Sequence, residues 1–138
     1  MSIRNQFPGT VLSVASGDAM STVKLRLTGG QEVTAAITAE SARDLGLTSG
    51  TRVRALVKST EVAVATGVVS GVSIRNRLAG TVAEVDHGTV MSTVKIALSS
   101  GETVTSAITR DAAEELKLAP GAEVTALVKS TEVSLAVD

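Results

Sequence analysis

The chain has 138 residues, 43% of them hydrophobic and 20% charged, with a formal net charge of −1 and a single aromatic, Phe7. That supply of Val, Leu, Ile and Ala suffices for a packed interior and excludes a disordered chain, while the near-neutral charge gives no general field for a polyanion, so any anion site must be local. The lack of cysteine excludes a disulfide framework, thiol catalysis and cysteine-ligated metal, and His87 is the only imidazole.

The N-terminal run Met1 to Gly9 carries a charge but no apolar core of a secretory signal. No apolar stretch approaches the about 18 to 20 residues that cross a bilayer. The expectation is a soluble, cytoplasmic protein without a membrane partner.

Ser2-Ile3-Arg4-Asn5 returns 71 positions later as Ser73-Ile74-Arg75-Asn76. The same shift, without a gap, aligns Met20-Ser21-Thr22-Val23-Lys24 with Met91 to Lys95, Ala36-Ile37-Thr38 with Ala107 to Thr109, and Ala55 to Val62 with Ala126 to Val133. About half of the paired positions are identical. The chain is therefore two copies of one small domain, 1–67 and 72–138. Two copies of so long a period do not make a solenoid. The junction Gly67 to Val72 is short and half apolar, unlike a flexible linker, and units this small bury little surface alone. The copies are expected to pack together.

Within a copy, Val11, Leu12 and Val14 up to Gly17, then Val23, Leu25 and Leu27 up to Gly29-Gly30, predict two strands joined by turns. Gln31 to Ile37 predicts a third. Thr38 to Gly46 then changes to helical character: Thr38 is a suitable N-cap, Glu40 suits the first turn, Ala42 and Leu45 lie three apart, and Gly46 can close the helix in the left-handed region. The second copy keeps Thr109, Ala113 and Leu116 but has Lys117 in place of Gly46, so a different C-cap is expected there. Beyond the helix the apolar alternation runs through Val53, Ala55 and Val57, then changes phase to Val62 and Val64 across Lys58-Ser59-Thr60-Glu61. The second copy repeats this change at Lys129 to Glu132. A strand cannot change phase without turning its apolar residues over, so a bulge, a bend or a crossing between sheets belongs there. The order strand, strand, strand, short helix, strand, strand predicts a mainly β protein of two tandem OB-type five-stranded barrels, each with one short helix.

Two segments are candidates for chemistry. In an extended Ser2-Ile3-Arg4-Asn5, Ser2 and Arg4 share one face, placing a hydroxyl beside a guanidinium fork that suits an oxyanion. A lone strand arginine is ordinarily solvated or salt-bridged. Repetition of the whole tetrapeptide, while its neighbours Gln6, Phe7 and Pro8 become Arg77, Leu78 and Ala79, keeps both readings open. Lys58-Ser59-Thr60-Glu61 and its repeat stand where the phase breaks, and free backbone N–H groups at such a break can line an anion-binding concavity. An ordinary polar bend with an exposed lysine is the alternative. Neither segment has carboxylates or histidine at ligand spacing, so neither reads as a direct cation site. One Arg with one Lys would balance a doubly charged oxyanion.

Other chemistry finds no support. His87 stands opposite Ser16 in the repeat and reads as an exposed turn residue. No phosphate-loop sequence occurs, and Gly29-Gly30 is better explained as a hairpin turn. No nucleophile has an assigned base, so no catalytic residues and no enzyme are expected. Single-stranded nucleic acid requires aromatic platforms and a basic groove, which this chain lacks. Met20 and Met91 read as core or interface filler.

Ser-Ile-Arg-Asn-Gln near the start, Ile-Thr before a short helix, and Val-Lys-Ser-Thr-Glu-Val near the end resemble the molybdate-binding Mop domain of the molbindin family, once per copy over the whole chain. The resemblance implies an OB-type fold, a homotrimer of tandem-domain chains, and no cofactor beyond the molybdate or tungstate ligand. It also implies reversible oxyanion binding at domain or subunit interfaces for intracellular molybdenum storage and homeostasis. The implied oxyanion-binding residues are Ser2, Arg4, Asn5, Lys58, Ser59, Ser73, Arg75, Asn76, Lys129 and Ser130, the first motif of one domain acting with the second of another. Arg77 in place of Gln6 would add a cation near one site. The alternative is a molybdate-sensing accessory module of a regulator or transporter.

Overall fold

The computed structural model describes residues 3–138, with side chains from Asn5 onward. The first copy forms β1 (Ile3–Ser16), β2 (Met20–Leu27), β3 (Glu32–Thr38), α1 (Ala39–Asp44), β4 (Arg52–Lys58), a 3-10 turn (Ser59–Glu61) and β5 (Ala63–Ala65). The second forms β6 (Asn76–His87), β7 (Met91–Leu98), β8 (Thr103–Thr109), α2 (Arg110–Glu115), β9 (Glu123–Val128), a 3-10 turn (Ser130–Glu132) and β10 (Ser134–Ala136).

Alternation dictates the strands. In β2 and β7 exposed and buried positions alternate without a break, so Val23, Leu25 and Leu27, like Val94, Ile96 and Leu98, line the interior. Met20 and Met91 occupy outward positions and are 46% and 44% exposed. They are not core, which corrects that half of the expectation. The long strand β1 pairs through Ile3 to Thr10 with β4 and through Gly9 to Ser16 with β2. It passes from one neighbour to the other at Gly9. A Cβ there would stand 2.8 Å from the Arg26 carbonyl oxygen, and at the equivalent Gly80 2.7 Å from that of Ala97. Register slips between Val11 and Ser13, and between Val82 and Glu84, add the curl.

Both helices start as read: the Thr38 and Thr109 hydroxyls accept from the N–H groups of Ser41 and Ala112. The second C-cap is not built differently. Lys117 adopts a φ of 56°, close to the 65° of Gly46, and donates to the Glu114 carbonyl as Gly46 does to that of Arg43, both at 3.0 Å.

Each sheet has five strands, in the orders β10-β4-β1-β2-β3 and β5-β9-β6-β7-β8. The phase change after Lys58 is thus a crossing between sheets, and the crossing leads into the other copy: β5 pairs with β9, and β10 with β4. The sequence repeats and the sheets therefore do not coincide. The architecture is mainly β, two curled five-stranded sheets that reciprocally exchange their last strands. Buried residues of both copies form one continuous core, from Phe7 and Val57 to Leu78, Val128 and Val133.

Candidate functional site

The pairing of β1 with β4 places the two repeated motifs of the first copy side by side. Ile3 lies opposite Lys58 and Asn5 opposite Val57, with the register slipping at Arg4 between them. Ser2 and the side chain of Arg4 lie outside the described residues. In the second copy the strand begins only at Asn76, which pairs with Val128. Ser73 and Arg75 precede it, both exposed and outside any strand, so an extended strand does not describe the second tetrapeptide. Its Ile74 lines a hollow of about 290 Å³ together with Lys129. Arg77, expected as an added cation, instead fastens this segment, donating to the Ile74 and Val72 carbonyls at 3.1 and 2.9 Å.

Asn5 and Asn76 have partners that local reading missed. The Asn5 amide donates to the Thr105 carbonyl and accepts the Thr105 N–H, both at 2.8 Å. Asn76 does the same with Thr34, at 2.9 and 2.8 Å. Each is an extra rung on the edge strand of the opposite copy. Of its two amide N–H groups one remains for any ligand. Ser106, buried in β8, adds a bond to the Val62 carbonyl at 2.6 Å, holding the first crossing segment.

Lys58 and Lys129 cap the two 3-10 turns in extended conformations. The turns pack against β8 and β3 of the opposite copies, and the first N–H groups of such a turn find no partner within it. Directly after each lysine the serine hydroxyl is the significant atom: Ser59 Oγ and Ser130 Oγ are buried without a hydrogen-bond partner. A buried hydroxyl left so costs about 1–3 kcal/mol. The lysines themselves are exposed, and Arg75 makes no ion pair among the described residues. The hollow beside Lys129 also contains Glu61 and Glu132, so positive charge belongs to the lysine ends of the turns rather than to that hollow. Among the described residues no group of three or more His, Cys, Asp or Glu could hold a metal ion. The arrangement gathers unpartnered hydroxyl donors beside exposed lysines.

His87 is exposed and shares a 2.7 Å bond with Ser92, where the first copy has a Ser16–Ser21 bond of 2.9 Å. Among the described residues no helix is long and apolar enough to cross a membrane.

Comparison with known proteins finds the TOBE domain twice, over residues 1–64 and 72–135. The molybdenum-pterin-binding protein MopB of Rhodobacter capsulatus is 47% identical over 136 residues, 98% of this chain and 50% of that protein. The molybdenum transport protein ModE of Azotobacter vinelandii is 41% identical over 136 residues, 99% of this chain and 50% of that one. The chain thus spans about half the length of these curated relatives. A solved structure of the cytoplasmic molybdate-binding protein ModG, with molybdate bound, superposes at a TM-score of 0.97 with 40% identity, covering 100% of this chain and 99% of that one.

Proposed function

Because the chain belongs to the TOBE-domain family and carries that domain twice, we propose that it binds molybdate, and tungstate with it, reversibly and without catalysis, as a cytoplasmic store that buffers molybdenum. The observation that carries this reading is the pair of buried, unpartnered hydroxyls of Ser59 and Ser130, each next to a repeated lysine. A tetrahedral dianion accepts from such hydroxyls, from turn N–H groups and from the remaining amide N–H of Asn5 or Asn76. Lys58 or Lys129 with Arg4 or Arg75 supplies charge-assisted bonds; Ser2 and Ser73 add donors. Relatives whose names state molybdenum or molybdate binding support the ligand. The two repeats, 1–67 and 72–138, act as one binding unit, and three chains, three times 14.0 kDa or about 42 kDa, make the assembly.

Titration calorimetry with molybdate tests the reading. Lys129→Ala is expected to weaken binding about 10- to 100-fold, the range for losing a hydrogen bond to a charged group. Ser130→Ala is expected to weaken binding and at the same time to raise the stability of the ligand-free protein by about 1 kcal/mol, because it removes an unsatisfied buried group. Absence of binding heat with molybdate, together with absence of competition by tungstate, overturns the proposal. Curated relatives about twice as long contain the same paired region, which favours a second reading as the molybdate-sensing module of a regulator or transporter. A stoichiometric protein partner recovered from molybdate-fed cells would support that one.

A further inference from the structure

The outer face of the first sheet carries an arginine cluster that the oxyanion motifs do not use. Thr10 on β1 stands between Arg26 on β2 and Arg52 on β4, its register partners on either side. Two residues along the strand, and so on the same face, Pro8 lies opposite Arg54, and the Thr28 hydroxyl donates to the Pro8 carbonyl at 3.2 Å. Strands about 4.8 Å apart put the Arg26 and Arg52 backbones about 10 Å from each other, a span that two guanidiniums can close over a phosphate group held above the Thr10 hydroxyl. The three arginines line one cavity of about 430 Å³, with Asp138 as its one acidic residue. That is the size of a small-molecule site and larger than a bare tetrahedral oxyanion needs.

The charges there are only loosely committed. Arg26 meets Glu32 at 3.3 Å and Arg54 meets Asp138 at 3.2 Å, with the acids 56% and 82% exposed; such solvated pairs contribute little and yield to a dianion. Arg52 forms no ion pair among the described residues. Nor does the fold require these arginines. The second copy builds the same strands and register around Gly80 and Thr81, with a hollow of about 500 Å³, yet it has Ala97, Glu123 and Thr125 where the first has Arg26, Arg52 and Arg54. The shape is kept and the charge is reversed. Arg52 begins β4 and Lys58 ends it, about 20 Å apart at 3.3 Å per residue, so this face is separate from the crossing turns.

We propose that this face of the first copy is a binding site for an organic phosphate: the phosphate lies between Arg26 and Arg52 over Thr10, Arg54 donates from the side, and the rest of the molecule fills the cavity. Guanidinium forks match phosphate oxygens in pairs. Backbone amide NMR of the full chain, titrated at constant ionic strength with adenosine 5′-monophosphate and separately with inorganic phosphate, tests it. The expected result is saturable shifts at Gly9, Thr10, Arg26 and Arg52 but not at Gly80, Thr81, Ala97 and Glu123, with the monophosphate ester binding more tightly than inorganic phosphate. Arg52→Glu should weaken the ester about tenfold or more while leaving the molybdate titration unchanged. The double variant Ala97→Arg/Glu123→Arg should bring the response to the second copy. Absence of saturable shifts, equal shifts in both copies, equal affinity for both probes, or an unaffected Arg52→Glu variant each overturns the proposal.

Discussion

At the scale of single residues, the most instructive position is Lys117. It is the one non-glycine with positive φ among the described residues, at 56°. A left-handed backbone brings Cβ against the carbonyl oxygen at a cost of about 1–2 kcal/mol. Lys117 accepts it because its N–H closes the last helical turn onto the Glu114 carbonyl, and Leu118, one residue on, is buried and donates to the Ala113 carbonyl. Hydrogen bonding and burial of the next side chain together outweigh the preference of the residue. Lys117→Gly is therefore expected to stabilise the protein by about 0.5–1 kcal/mol, the strain relief less the extra chain entropy of glycine in the unfolded state. A urea denaturation midpoint that rises with an unchanged slope would check it. Thr38 and Thr109 were legible in the sequence because a cap joins residues three apart. Asn5 and Asn76 were marked as important by their repetition, but not for what they do, since their partners lie 100 and 42 residues away. A repeat identifies a residue; it does not identify a distant partner.

At the scale of elements, the exchanged last strands govern the architecture. The change of apolar phase announces a crossing, and the sequence carries that signal in both copies. Its destination is not encoded locally: β5 and β10 follow near-identical motifs, and β4 and β9 offer near-identical edges. Only the packing of the whole chain decides which edge each strand meets. This yields a prediction that a self-contained pair of barrels would not make. Truncation after Val133 removes β10 from the second copy, but its hydrogen-bond partners, Arg54, Ala55 and Leu56, belong to β4 of the first. Amide hydrogen exchange is expected to accelerate in β4 at Arg54 to Leu56 while the corresponding part of β9, residues Thr125 to Leu127 and still paired with β5, keeps its protection. Faster exchange at β9 with β4 unchanged would mean that each copy keeps its own last strand.

At the scale of the whole molecule, the two repeats share one core and exchange strands. Phe7, Val33, Ala55 and Val57 of the first copy face Leu78, Val104, Val128 and Val133 of the second across a space that holds almost no void, about 10 Å³. The hairpin loops also touch, with the Gly29 N–H on the Glu102 carboxylate at 3.3 Å. Neither half can open without exposing the core of the other and losing a strand of each sheet. Thermal unfolding should therefore be a single transition with equal calorimetric and van't Hoff enthalpies, and two resolved transitions would contradict the shared core. Both lysine turns stand on the segments by which one copy crosses into the other, so an anion held there ties the crossings down in the native state only. Molybdate at about 100 times its dissociation constant should raise the stability of that one transition by about 2.7 kcal/mol, read as a shift of the whole curve. Molybdate that split the transition, or that raised the melting temperature of one copy alone, would place its binding on a half that unfolds by itself, against the exchange of strands.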